Sequence, residues 1–144
     1  MAFIFVQPNM TLPTSPMSTA DLLLAVAEPT RLRILNCLAA APLFVQDLQA
    51  VLKLPQPTVS RHLQVLRKAE LVRDTPIAQF VLYRLRREQG STGRLLSAVL
   101  DVIHQDKDLR MERSQAADRS RSHTMSRVES PTEEDFLVGS KTSP

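Results

Sequence analysis

Residues 56–72 read QPTVSRHLQVLRKAELV, a short polar start and a Ser-Arg-His triplet that run into a hydrophobic stripe. At 100° per residue Val59, Leu63 and Leu66 fall in one narrow sector, as expected of a helix packed on a core. Pro57, Arg61, Gln64 and Lys68 take the opposite sector, with Thr58 and Ser60 on its flanks. That outward side offers hydroxyl, amide and cationic donors, the groups that bond to base edges and phosphates in a major groove. No carboxylate interrupts it before Glu70. Taken alone, the pattern fits the solvated side of a surface helix equally well. The neighbouring segments decide between the two.

Upstream, residues 44–54 (FVQDLQAVLKL) form a second, shorter helical pattern, with Val45, Leu48, Val51 and Leu52 as its apolar positions. Pro55 and Pro57 follow; lacking amide hydrogens, they suit a turn and a first helical turn but not a helix interior. Helix, brief turn and helix of this length make a helix-turn-helix, whose second helix enters the major groove. Downstream, residues 71–73 and 79–85 (QFVLYRL) carry β-branched and aromatic residues in rough alternation around DTPIA, where Pro76 suits a turn. The expected product is a two-stranded hairpin and a winged helix. No Lys or Arg lies between Arg73 and Arg84, so a wing in the minor groove lacks the usual cation.

The order AEPTRLRIL (residues 27–35), the helix pair, QPTVSRHLQVLRKAELV and VLYRL resembles the ArsR/SmtB family of bacterial repressors over about residues 22–103. The resemblance implies a mainly α fold with a small β-hairpin, a dimeric winged helix-turn-helix that binds a promoter as a repressor. It places DNA contacts on Gln56, Thr58, Ser60 and Arg61, to which the helical wheel adds Gln64 and Lys68. His62 lies at the flank of the apolar stripe; a base or phosphate contact and a packed, hydrogen-bonded role both remain open for it. Family members often carry His where Arg61 stands, and a guanidinium favours bidentate contact with guanine or phosphate.

Well-known relatives sense metal through a cysteine pair in the first helix of the helix-turn-helix. The matching segment here, Phe44-Val45-Gln46-Asp47, holds no thiolate for a soft metal or trivalent arsenic. A second family site uses carboxylate and imidazole ligands on the last helix, for which Asp101 and His104 are the only candidates, without the further partners the pattern needs. No metal and no cofactor are expected. Cys37, the only cysteine, sits in the apolar run RLRILNCLAA and reads as core.

Around this centre, Ser18 or Thr19 is expected to cap a first helix with Leu22, Leu23 and Val26 as its apolar face, and Pro29 to open the next. After the hairpin, Ser91 or Thr92 is expected to cap a helix whose stripe is Leu95, Leu96, Val99, Leu100 and Ile103. So broad a stripe needs a cover, and pairing with the same helix and the first helix of a second subunit is the expected solution. The dimer interface is therefore expected at Leu22, Leu23, Val26, Leu95, Leu96, Val99, Leu100 and Ile103.

The expected organisation is a flexible extension over residues 1–17, a winged helix-turn-helix over residues 18–113 and a disordered tail over residues 114–144, rich in Ser, Arg, Asp and Glu. Through His104 there are 11 Lys or Arg against 7 Asp or Glu, whereas residues 105–144 hold 7 against 8. The positive charge lies on the folded part, as a nucleic-acid partner favours. The run AFIFV has no basic leader and meets Pro8, Pro13 and Pro16, which fits neither a signal nor a membrane span.

A cytoplasmic, homodimeric, sequence-specific regulator of double-stranded DNA, with an operator of inverted-repeat form and no membrane partner, is the expected function. The alternative is a winged-helix protein-interaction module that has lost DNA reading. An enzyme is not expected, since the chain has no glycine-rich phosphate loop, paired cysteines or HExxH motif.

Overall fold

A computed structural model describes residues 17–87 and 89–129, and side chains through Met125. Almost all of the expected N-terminal extension, and the tail beyond Glu129, lie outside the described residues.

Helix α1 (Thr19–Val26) starts where the Asp21 amide donates to Ser18 Oγ at 3.1 Å, so Ser18 is the cap. Helix α2 (Pro29–Ala40) begins at Glu28, whose carboxylate accepts from the Arg31 amide at 2.8 Å, with Pro29 in the first turn. Strand β1 (Leu43–Phe44) leads directly into α3 (Val45–Leu52), which ends at Lys53 in the left-handed conformation, φ 56° and ψ 44°. Helix α4 (Gln56–Lys68) follows after Pro55. Strands β2 (Val72–Ile77) and β3 (Phe80–Leu85) then pair antiparallel, and α5 (Ser91–Gln105) and α6 (Lys107–Glu129) complete the described chain. This is a mainly helical winged helix-turn-helix with a small sheet.

The sheet has three strands in the order β1-β3-β2, because Leu43 and Phe44 pair with Tyr83 and Leu82. Two residues are too few to display a period of two, so β1 leaves no mark in the sequence pattern. The hairpin is longer than expected: Asp74 to Ile77 continue β2, and the turn is Ala78-Gln79 with Ala78 at φ 53°. Pro76 therefore lies in a strand and not in the turn, which an edge strand tolerates.

The core gathers Ile34, Leu35, Cys37 and Leu38 of α2 with Leu43, Leu48, Val51 and Leu52. Val59, Leu63 and Leu66 enter it fully buried, so the inward stripe of α4 fixes the helix's rotation about its own axis. Each buried leucine contributes roughly 1.5–3 kcal/mol. Gly90, not Ser91 or Thr92, stands before α5, with φ 124°, which a β-carbon disfavours.

Two expectations change. The stripe of α5 divides into two faces: Leu96, Leu100 and Ile103 are buried inside this one chain, as is Val26 of α1, while Leu95 and Val99 remain half-buried. Those four residues pack into the chain's own core and leave little surface exposed.

Residues 114–129, expected to be disordered, continue α6 as a helix that lies on α2 and α3. Its average composition is polar, but its contacts are specific. Ala116 is fully buried, and Arg33 grips Glu112 through Nε at 2.9 Å and Nη2 at 2.5 Å. Buried Asn36 donates to the Leu109 carbonyl at 2.8 Å and accepts from Arg113 at 3.2 Å. Hydrogen bonding to Glu112 raises the Arg33 pKa above its ordinary value, against the opposing effect of burial.

Candidate nucleic-acid interface

Because α4 turns Val59, Leu63 and Leu66 inward, Gln56, Arg61, Gln64 and Lys68 are exposed, with Thr58 and Ser60 half-buried at the flank. Gln56 Nε2 donates to Ser60 Oγ at 2.9 Å, so the first turn's amide and hydroxyl are pre-arranged side by side. Lys68 and Arg67 lie in the last turn, where cations complement the helix dipole.

His62 is set apart from that row. Its side chain is only 19% exposed, with Nδ1 3.3 Å from Arg31 Nη1 and 3.6 Å from Glu28 Oε2. Burial alone would raise the Glu28 carboxyl. The Arg31 and Thr30 backbone N–H groups, with the charges of His62 and Arg31, bring it below its ordinary value. His62 is thus part-buried between Arg31 and Glu28.

The wing is attached to this helix through an ion pair, Arg67 Nη1 to Asp74 Oδ2 at 2.9 Å. Arg73 and Arg84, which bound the cation-free stretch, are direct cross-strand partners and both exposed. The wing thus carries two guanidinium groups at its base, while Ile77 and Phe80 at its tip are apolar and exposed. Residues read only as a sequence gap turn out to be a pair, and hairpin register is the signal that joins them.

The position matching the family's cysteine pair is occupied by polar packing. Asp47, almost fully buried, accepts from the Phe44 amide at 3.1 Å through Oδ2. Its Oδ1 is 2.8 Å from His123 Nε2 and 3.8 Å from Arg119 Nη1, both on α6. The His123 ring also meets Phe44 edge-on, with centroids 5.5 Å apart. Asp101 and His104 are exposed on α5. Cys37 is buried, and desolvation, helped by the nearby Glu112 charge, pushes its thiol up to about 12.

Residues 28–74, from the α2 cap to the first half of the wing, match the family profile described as "Bacterial regulatory protein, arsR family". The biofilm growth-associated repressor of Agrobacterium fabrum is 38% identical over 84 residues, which cover 58% of this chain and 70% of that protein. The chain belongs to the ArsR family. A transcriptional repressor SmtB homolog from Synechocystis sp. is 35% identical over 80 residues, 56% of this chain and 61% of the relative. The chain thus spans about three fifths of that curated relative's length. The crystal structure of the transcriptional repressor BigR from Xylella fastidiosa superposes with a TM-score of 0.52 at 28% identity, covering 61% of this ArsR-family chain and 86% of BigR. Among the described residues, no helix is long and apolar enough to cross a membrane.

Proposed function

We propose that this ArsR-family protein is a cytoplasmic, sequence-specific transcriptional repressor that binds an inverted-repeat operator as a homodimer. The observation that carries the reading is the outward face of α4. Gln56, Arg61, Gln64 and Lys68 are exposed on a helix whose opposite side is fully buried, with no carboxylate from Gln56 to Lys68. A rigid helix presenting donors in this way suits base reading in a major groove. In this assignment Arg61 reads guanine or holds phosphate, while Gln56, Thr58, Ser60 and Gln64 supply further polar contacts. Lys68, with Arg73 and Arg84 at the wing base, contributes phosphate contacts. His62 orients the helix rather than touching DNA.

The subunits pair through what α1 and α5 leave uncovered: Leu23 at 49% exposure, Leu24 at 66% and Val102 at 72%, with half-buried Leu22, Leu95 and Val99. Leu24 and Val102 replace the four buried residues in the expected contact set. No thiolate stands in the Phe44–Asp47 segment, and Asp47 is engaged by α6, so induction by a soft metal at that position is not part of the assignment. No enzymatic reaction is assigned.

Selection of bound duplexes from random DNA, repeated with Zn²⁺, arsenite, an oxidant and a chelator, tests the reading. The expected result is one enriched inverted repeat whose half-sites lie about one helical turn apart, unaffected by Zn²⁺ or arsenite. Recovery of unrelated sequences in every arm would refute DNA reading and favour a protein-interaction module.

A further inference from the structure

Arg31 connects three helices. Its Nε donates to the Ala25 carbonyl at 2.6 Å and its Nη2 to the Leu24 carbonyl at 3.1 Å, both in the last turn of α1. Its Nη1 lies 3.3 Å from His62 Nδ1 on α4. A guanidinium has no acceptor, so it must be the donor in all three contacts. In the tautomer that carries its proton on Nε2, His62 accepts this bond at Nδ1. Glu28, 3.6 Å from the same nitrogen, closes the cluster from the start of α2.

Helix α1 has eight residues, too few to be stable alone, and only Ala25 and Val26 of it are buried. Its placement rests on those two side chains, on half-buried Leu22 packed against the core, on direct contact with α2 and α4, and on the Arg31 clamp. Leu24, whose carbonyl Arg31 holds, is also the most exposed apolar side chain of α1. His62, at the other end of the guanidinium, directly follows Arg61 and lies one turn from Thr58.

We infer that Arg31 and His62 are positioning residues that transmit subunit pairing at Leu23 and Leu24 to the DNA-facing helix α4. The inference rests on the proposed pairing through α1 and the proposed DNA face. When a second subunit shifts α1 against α2, the two held carbonyls move with it. The guanidinium can keep all three acceptors only if His62 follows, which turns the start of α4. A guanidinium suits this junction because its donors are fixed in one plane, whereas a lysine ammonium could release one acceptor to keep another.

The test uses the full chain without DNA first. Amide resonances of α1 and α4 are followed by NMR as the protein is diluted through its monomer–dimer transition, in the wild type, His62→Leu and His62→Asn. Asparagine returns an oxygen acceptor close to the place of Nδ1, and leucine does not. In the wild type both helices are expected to shift on pairing. In His62→Leu, α1 still shifts but Arg61 and its neighbours in α4 do not, and His62→Asn restores their response.

A second arm measures affinity for the selected operator. Leucine is expected to weaken binding roughly tenfold, about the loss of one hydrogen bond to a charged group, and asparagine to recover most of it. A response of α4 to pairing that is the same in all three proteins overturns the inference, as does a chain that stays monomeric throughout. If the wild type shows coupled shifts yet no operator preference, the DNA reading fails and the coupling stands.

Discussion

Replacing Asp47 with alanine removes three partners from one buried carboxylate, and its cost can be worked out contact by contact. The Phe44 N–H at the start of α3 loses its acceptor, at a cost of about 1 kcal/mol. The 2.8 Å contact with His123 contributes about 1 kcal/mol, and the 3.8 Å contact with half-exposed Arg119 a few tenths at most. The total is roughly 2 kcal/mol, or a fall of about 8 °C in Tm for a domain of this size. Asp47→Asn keeps an oxygen for Phe44 and should lose about half as much.

The decisive quantity is the coupling between Asp47→Ala and His123→Ala in a double-mutant cycle read by urea denaturation. The seating of α6 on α3 predicts about 1 kcal/mol, whereas distant sites add to within about 0.3–0.5 kcal/mol. Additive effects would refute the contact and return residues beyond 113 to the status of an independent tail.

Cys37 should resist a thiol reagent such as dithiobisnitrobenzoate at neutral pH in the native protein and react at once in denaturant, since its ionisation is pushed up to about 12. Rapid native labelling would contradict its burial. Because that pKa lies above the ordinary thiol value of 9.0, the group's contribution to stability is complete below pH 9 and declines as pH rises toward 12. Urea midpoints across that range should fall less in Cys37→Ser than in the wild type. Lys53, exposed and left-handed at the end of α3, should be replaceable by glycine with a gain of roughly 0.5–1 kcal/mol, and a loss of stability would show that the helix ends differently.

The reach and the limits of the sequence follow from what periodicity can carry. Val59, Leu63 and Leu66 sit where 3.6-residue spacing puts them, and Ser18 and Pro29 open their helices for local reasons that neighbouring residues display. Strand β1 is too short for any period. Pro76 misled because its acceptability depends on β2 being an edge, which only sheet order reveals. The α5 stripe was legible as apolar, but its division between an inner and an outer face depends on α2 and α6 covering Leu96, Leu100 and Ile103.

Helix α6 escaped detection for a related reason. Its apolar contacts are sparse, and it is held largely by Asn36, Arg33 and Asp47, whose partners are 73 to 79 residues away in the chain. No local window contains both ends of such a bond. The same holds for the contact between Arg31 and His62, whose ends lie 31 residues apart in the chain.

The most direct test of DNA reading by α4 is the affinity of wild type and Arg61→Ala for the selected operator and for a random duplex, by fluorescence anisotropy at two salt concentrations. The wild type should prefer the operator by at least about 10³-fold, and its binding should weaken steeply with salt. Arg61→Ala should lose about 1–3 kcal/mol on the operator and much less on the random duplex. Equal affinity of the wild type for both duplexes, or an Arg61→Ala protein indistinguishable from it on the operator, would contradict the account.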